Sequence, residues 1–399
     1  MKKTIITFSL FLFLFAVFTG CENSKTKPNQ DNEQNDDSGD TGDTGNSGDT
    51  GNSGNTGNTG NTGNTADDSP LTDHDSPVTD DDTGNTGDTG NTGDTGNTGN
   101  TGNTGNTGDL LAIFNLGPHF VNIIDIKEGD NGAPRDFRIY EPTGATGLIP
   151  VVHFQHGFQL KYTYYDDMFI HLSSHGFIVV SGQSEHSMFG GDTSVAEAAK
   201  VVTFIEWVKA NLASKITGMT PDFDNFAVSG HSRGGKVTNH VLNTQPNIAK
   251  AFFGVDPVDA APPIGNDPSS LENPVQFQGK SMFLGAELGP QLNLGQACAP
   301  ADDNSTNFYA MYPVPSRHII AAGVGHMDMV DEPDLKACGT TCSVCVDSGD
   351  NQLNAQFRTY AGGLMAAFFS SALKGKTEYE TLLNDFMTHP FLTKVSESK

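Results

Sequence analysis

Between residues 110 and 399 short apolar runs alternate with amphipathic stretches, and the two spacings predict two kinds of element. "FVNIIDI" (120–126) and "DFRIYEP" (136–142) alternate in part between apolar and polar positions, as half-covered strands do, and "EPTGATG" closes the second with turn residues. "LIPVVHFQ" (148–155) and "FIVVSGQ" (177–183) are continuous apolar runs, the pattern of strands covered on both faces. Between them a helix is predicted from about Tyr164 to Ser174, ended by His175-Gly176. In "SVAEAAKVVTFIEWVKANL" (194–212), Ala198, Val201, Val202, Ile205 and Val208 recur at helical spacing on one face. The strand "NFAVSG" (225–230) runs into a helix containing "KVTNHVLN" (236–243). "AKAFFGVDPV", "GKSMFLGAE" and "RHIIAAGVGH" predict three more strands, and a helix from about Gln356 to Leu373 follows. Strands alternating with helices predict an α/β fold, an open and mostly parallel sheet with helices on both faces.

The first 109 residues read differently. Lys2 and Lys3 precede the apolar run "IITFSLFLFLFAVF", which is shorter than the ~20 residues of a spanning helix and ends at "TGC". Residues 1–20 are therefore predicted to be a signal peptide. The small residues before Cys21 resemble the lipobox of bacterial lipoproteins, which implies a lipidated Cys21 and a chain held at the bacterial cell envelope. Phe18 stands where that pattern usually has leucine, so simple secretion is the alternative. From 22 to 109 glycine recurs at every third position, from Gly39 to Gly63 and again from Gly84 to Gly108, with Asn or Asp and Thr or Ser between. Collagen needs proline-type residues to pre-set its extended helix, and these two blocks have none. The spacing also matches neither an EF-hand loop nor a nine-residue calcium roll. Such a composition predicts a solvated tether, with a mean span of about 50 Å at ~5–6 Å times the square root of its length.

Composition narrows the partners. The formal net charge is −26, and the tether carries 18 acidic residues against two lysines. The folded region is acidic as well, which disfavours binding to nucleic acid through phosphate contacts. Cys298, Cys338, Cys342 and Cys345 form an even set in an exported region, which predicts two disulfides of unspecified pairing. The tight group of the last three could instead hold a metal, a reading that an oxidising compartment disfavours. His153 and His156 have no matching ligand set and read as packing and loop residues, so no metal is expected.

Candidate chemistry centres on "FAVSGHSRGGK". Gly230-His231-Ser232-Arg233-Gly234 matches Gly-x-Ser-x-Gly, with a predicted strand before it and a helix after it, the context of a nucleophile elbow. The sharp turn exposes a serine hydroxyl at the sheet edge, and Gly230 and Gly234 let strand and helix approach; Gly235 adds slack. A serine needs a base, and His326 in "AAGVGHMDM" follows the last predicted strand in a glycine-rich loop, better placed than His318 or His389. An acid must orient that imidazole and stabilise its cation, and Asp256, Asp259 and Glu287 all follow strands between the serine and the histidine. Two backbone amides should hold the oxyanion: that of Arg233 and one after "VVHFQ", where Phe158 follows His156-Gly157. The Arg233 side chain itself is as readily read as a structural ion-pair partner.

"HFQHGF", "SGHSRGGK", "FFGVDPVDA" and "GHMDMVDE" occur in the order of the chlorophyllase-type α/β hydrolases and resemble that family's motifs from Ile149 to Asp334. Platelet-activating-factor acetylhydrolases and bacterial polyester hydrolases are similar at greater distance. The resemblance implies an α/β-hydrolase fold, Ser232 as nucleophile, His326 as base and an acid in the Asp256-Pro-Val-Asp259 segment, which lowers Glu287; the likeness to the acetylhydrolases, whose acid sits at the strand end, favours Asp256, with Asp259 and Glu287 as the alternatives. It implies a serine carboxylic ester hydrolase without cofactor, read as a monomer acting on a small-molecule or lipid-like ester. Alternatives are a lipase, acyltransferase or polyester hydrolase with the same triad, or a hydrolase-like binding or adhesion module without chemistry. "AAPPIGNDPSSLENP" is short for a lid and predicts an open cleft.

Overall fold

A computed structural model of the chain describes residues 110–185, 191–260, 267–331, 344–385, 391 and 393–399. The expected signal peptide, Cys21, the tether, His389, Cys338, Cys342 and residues 261–266 of the short lid-like segment lie outside the described residues. Among those described, no helix is long and apolar enough to cross a membrane.

The strands are β1 (Phe120–Ile126), β2 (Phe137–Thr143), β3 (Leu148–Gln155), β4 (Ile178–Gly182), β5 (Thr220–His231), β6 (Ala251–Val255), β7 (Lys280–Ala286), β8 (Ser316–Ala321) and β9 (Thr393–Ser398). They form one sheet in the order β1-β2-β4-β3-β5-β6-β7-β8-β9. Pairing is parallel from β4 across to β8, with β1 and β2 antiparallel at one edge and β9 antiparallel at the other. The helices are α1 (Asp166–Ser174), α2 (Ser194–Asn211), α3 (Arg233–Thr244), α4 (Ser305–Met311), α5 (Asn351–Lys374) and α6 (Glu378–Asn384). This is the mostly parallel α/β sheet that the alternating pattern predicted, in the α/β-hydrolase arrangement that the family resemblance implied.

The continuous apolar run of β3 is explained by its two covers. Ile149 and Val151 join one cluster with Val201, Phe204 and Val208 of α2 and Val237 and Val241 of α3. Val152 and Phe154, on the opposite face, join a second cluster with Met168 and Leu172 of α1 and Leu364 and Phe368 of α5. Side chains alternate across a strand, so a strand between two helical layers has no face left to be polar.

Several elements depart from the expected pattern. On α2 Val202 is only half-buried and Phe204 takes the core position instead, while the charged Glu197 is buried beside them. α5 begins at Asn351, earlier than Gln356, because the Asp350 carboxylate caps its first turn by accepting from the amides of Gln352 and Leu353. α4, α6 and β9 were not anticipated. Of the four cysteines expected to pair, Cys298 and Cys345 are joined.

Candidate active site

Ser232 stands between the end of β5 and the start of α3, with φ 56 and ψ −128. A positive φ is strained for a serine and persists only where the surroundings enforce it. The surroundings do: Ser232 N donates to Val255 O of the neighbouring strand, and Ser232 O accepts from the amides of Gly235 and Val258. The flanking glycines are steric necessities. A Cβ on Gly230 would fall 2.5 Å from the carbonyl carbon of Gly234, and one on Gly234 would fall 2.1 Å from Gln155 O. Gly235, expected to add slack, is instead a close contact, since a Cβ there would meet Pro257 Cβ at 2.4 Å.

His326 follows β8, and its Nε2 lies 2.8 Å from Ser232 Oγ while its Nδ1 lies 2.7 Å from Asp256 Oδ2. A carboxylate only accepts, so Nδ1 carries the proton and the Nε2 lone pair receives the serine hydroxyl. Asp256 follows directly on β6 with φ 37, and its other oxygen accepts from Ala286 N at 3.1 Å. Both His326 and Asp256 are buried, which strengthens the contacts between them.

The other two candidate acids are brought elsewhere. Asp259 accepts from Ser270 N at 2.8 Å, from Ser270 Oγ at 2.6 Å and from Ser269 Oγ, so its carboxylate holds the 267–271 loop. Glu287 accepts from Gly323 N at 2.9 Å and braces the turn leading to His326. His318 is buried within β8, where its Nε2 meets Ser305 Oγ at 3.1 Å, away from Ser232.

Arg233 contributes its backbone, as the first residue of α3, to the helix end whose amides have no partner within the helix. Its guanidinium is committed to a buried ion cluster: Nε to Glu197 Oε2 at 3.2 Å, Nη1 to Asp267 Oδ2 at 2.6 Å and Nη2 to Asp192 O at 3.0 Å. Lys236, fully buried, adds a contact to Asp267 Oδ2 at 3.1 Å. The loop after β3 lies against Ser232, since a Cβ on Gly157 would stand 3.2 Å from Ser232 Cβ. Phe158 follows in that loop. His231 is buried against His326, ring centroids 4.7 Å apart, and against Tyr165. His153 is sealed in the core, where burial pushes its pKa down to about 3, and among the described residues no His, Cys, Asp or Glu group could hold a metal.

Sequence reasoning missed the braces. Asp328, two residues beyond His326, accepts from Gly325 N at 2.6 Å and Ser348 N at 2.9 Å with one oxygen and from Asn354 Nδ2 at 2.9 Å with the other. Asp331 accepts from the amides of Asp166 and Asp167 at 2.6 and 3.3 Å, capping α1 from the same loop. Burial, with Asp167 nearby, pushes the Asp331 carboxyl up to about 7. The acid-rich "HMDMVDE" was the available signal for both.

A strand, a strained serine, a helix, and an acid and a histidine from later strand ends define the class: this is an α/β hydrolase. The sequence model of the Chlorophyllase family matches residues 109–399, and the chain belongs to that family. Chlorophyllase-1 of Arabidopsis thaliana is 33% identical over 282 residues, covering 67% of this chain and 86% of that protein. Chlorophyllase-2 of the same plant is 30% identical, covering 57% of this chain and 75% of its own length, and Chlorophyllase type 0 of Chenopodium album is 30% identical over 66% and 79%. Membership makes the chain a chlorophyllase-like carboxylic ester hydrolase.

Proposed function

We propose that the chain hydrolyses small-molecule or lipid-like esters through an acyl-enzyme formed on Ser232. The observation that carries this reading is the line from Ser232 Oγ to His326 Nε2 at 2.8 Å and from His326 Nδ1 to Asp256 Oδ2 at 2.7 Å. His326 Nε2 takes the hydroxyl proton as Oγ bonds to the ester carbonyl carbon, and Asp256 stabilises the imidazolium that results. The negative oxygen of the tetrahedral intermediate is held by the amides of Arg233 and Phe158, each such donor contributing about 3–4 kcal/mol. Nε2–H then protonates the alcohol oxygen as its bond to carbon breaks. Water, deprotonated by His326, releases the acid and restores Ser232. The relatives are chlorophyllases by name; on a chain with an export signal we favour a different ester, met at an envelope surface to which Cys21 ties the enzyme.

Two measurements test this. Turnover of p-nitrophenyl esters of varied chain length, together with labelling by a fluorophosphonate, is expected for the wild type, with a loss of at least about 10³-fold in Ser232→Ala. A wild type that does neither overturns the reading. For the anchor, the wild type is expected to partition into detergent and incorporate fatty acid, and Cys21→Ser to do neither; an unlipidated wild type overturns it.

A further inference from the structure

His231, next to Ser232, is fully buried at the end of β5, and no step of the reaction above uses its side chain. Its two ring nitrogens have different partners. Nε2 lies 3.0 Å from the backbone oxygen of His326, and Nδ1 lies 3.0 Å from Tyr165 Oη. A carbonyl oxygen can only accept, so Nε2 carries the proton. Burial holds the ring neutral, which leaves Nδ1 as a bare lone pair. The Tyr165 hydroxyl therefore donates to Nδ1, and its oxygen accepts from Gly157 N–H at 3.2 Å. The direction of every hydrogen bond in this chain is fixed by its ends: the backbone of the proposed base at one, the backbone of the loop after β3 at the other.

That loop is held on its second side as well. Ser184 N–H donates to His156 Nε2 at 2.8 Å, so the proton of His156 is on Nδ1, which donates to Gly157 O at 2.8 Å. In a trans peptide the N–H points opposite to the preceding carbonyl, so fixing Gly157 O also fixes the direction of Phe158 N–H. There is little room for the loop to shift, since a Cβ on Gly157 would stand 3.0 Å from Leu160 Cδ1 and 3.2 Å from His231 Nδ1.

We propose that His231 is a positioning residue which, through Tyr165, locks the His326 loop to the Gly157-Phe158 loop, so that base and oxyanion donor keep their spacing around Ser232 during the reaction. The inference rests on the ester-hydrolase reading above. A histidine present only to fill space needs no matched donor and acceptor, and leucine could replace it.

The test compares kcat and KM on a p-nitrophenyl ester for the full chain, His231→Gln, His231→Leu, Tyr165→Phe and the double variant Tyr165→Phe/His231→Leu, each checked for a cooperative unfolding transition. Glutamine offers one acceptor and one donor, so His231→Gln is expected to keep kcat within about 3-fold. His231→Leu breaks both bonds and is expected to lower kcat about 10- to 100-fold with KM within about 2-fold, the signature of a contact that matters in the transition state. Tyr165→Phe, which removes one oxygen and carries the test should the leucine variant not fold, is expected to lower kcat about 10-fold. Links of one chain are not additive, so the double variant should be no slower than His231→Leu alone. A folded His231→Leu within about 3-fold of wild type, a folded His231→Gln as slow as the leucine variant, or additive effects would each overturn the inference. A wild type that turns over no ester and takes no fluorophosphonate overturns the hydrolase reading and this inference together; an active wild type with unaffected variants overturns only the inference.

Discussion

Asp256, Asp259 and Glu287 all stand near the carboxyl ends of the strands, yet only one of them meets the imidazole that the proposed reaction turns into a cation. Asp256 accepts from His326 Nδ1–H at 2.7 Å, whereas Asp259 and Glu287 accept from serine groups and from the Gly323 amide. Removing the charge from Asp256 leaves the imidazolium without its counter-ion and frees the ring to adopt the wrong tautomer. Asp256→Asn is therefore expected to lower kcat by on the order of 10³- to 10⁴-fold with little change in KM. Glu287→Gln keeps an oxygen that can accept from Gly323 N–H, and kcat is expected to stay within about 3-fold. Steady-state kinetics on a p-nitrophenyl ester separates the two, and an undiminished rate in Asp256→Asn would move the acid elsewhere. Asp259 is the less clean comparison, because its carboxylate organises a loop by three hydrogen bonds and its loss disturbs more than charge.

At the scale of elements, what was legible in the sequence is what local pattern determines. β3 announced its burial by a run without polar interruptions, and the elbow announced itself because its glycines act within five residues of one another. α4 and α6 have seven residues each, under two turns of helix, too short to display a helical period. β9 carries the polar "TKVSES" and becomes a strand by pairing with the edge of β8. Nothing along the chain marks Glu197 for burial, because its partner Arg233 lies on another helix, and Asp267 completes the cluster from a loop further on. A buried charge is tolerable only when paired, and the pairing is invisible along the chain. The same reason hid His231 and Tyr165, which meet across 66 residues. The choice among three acids stayed open on spacing alone because chain distance does not report side-chain direction; the resemblance favoured Asp256, the one the structure brings to His326.

For the molecule as a whole, buried histidines decide how the fold responds to acid. His153, His171, His231 and His318 are all buried, and burial lowers each pKa from the usual 6.5, to about 3 for His153 and about 4 for His318. In the unfolded chain all four take up protons as the pH falls through about 6.5, while in the folded chain they resist. The unfolded state thus binds more protons in this window, and stability rises with pH by about 1.4 kcal/mol per pH unit for each proton by which the states differ. Asp331 works in the opposite sense: its folded pKa is raised from 3.8 to about 7, mainly by burial, so the folded state holds the extra proton and stability falls as pH rises across that range. Burial raises Asp303 and Asp328 in the same sense as Asp331 and lowers His175 and His240 with the other rings, and three carboxyls against six histidines leave the net slope positive between about pH 4 and 6.5. The Tm of the full chain, followed by circular dichroism, is therefore expected to be lower at pH 4.5 than at pH 7 by on the order of 10 °C. His318→Asn should flatten part of that slope without touching Ser232, His326 or Asp256, whereas a Tm that rises on acidification would mean that these rings are not held neutral by the fold.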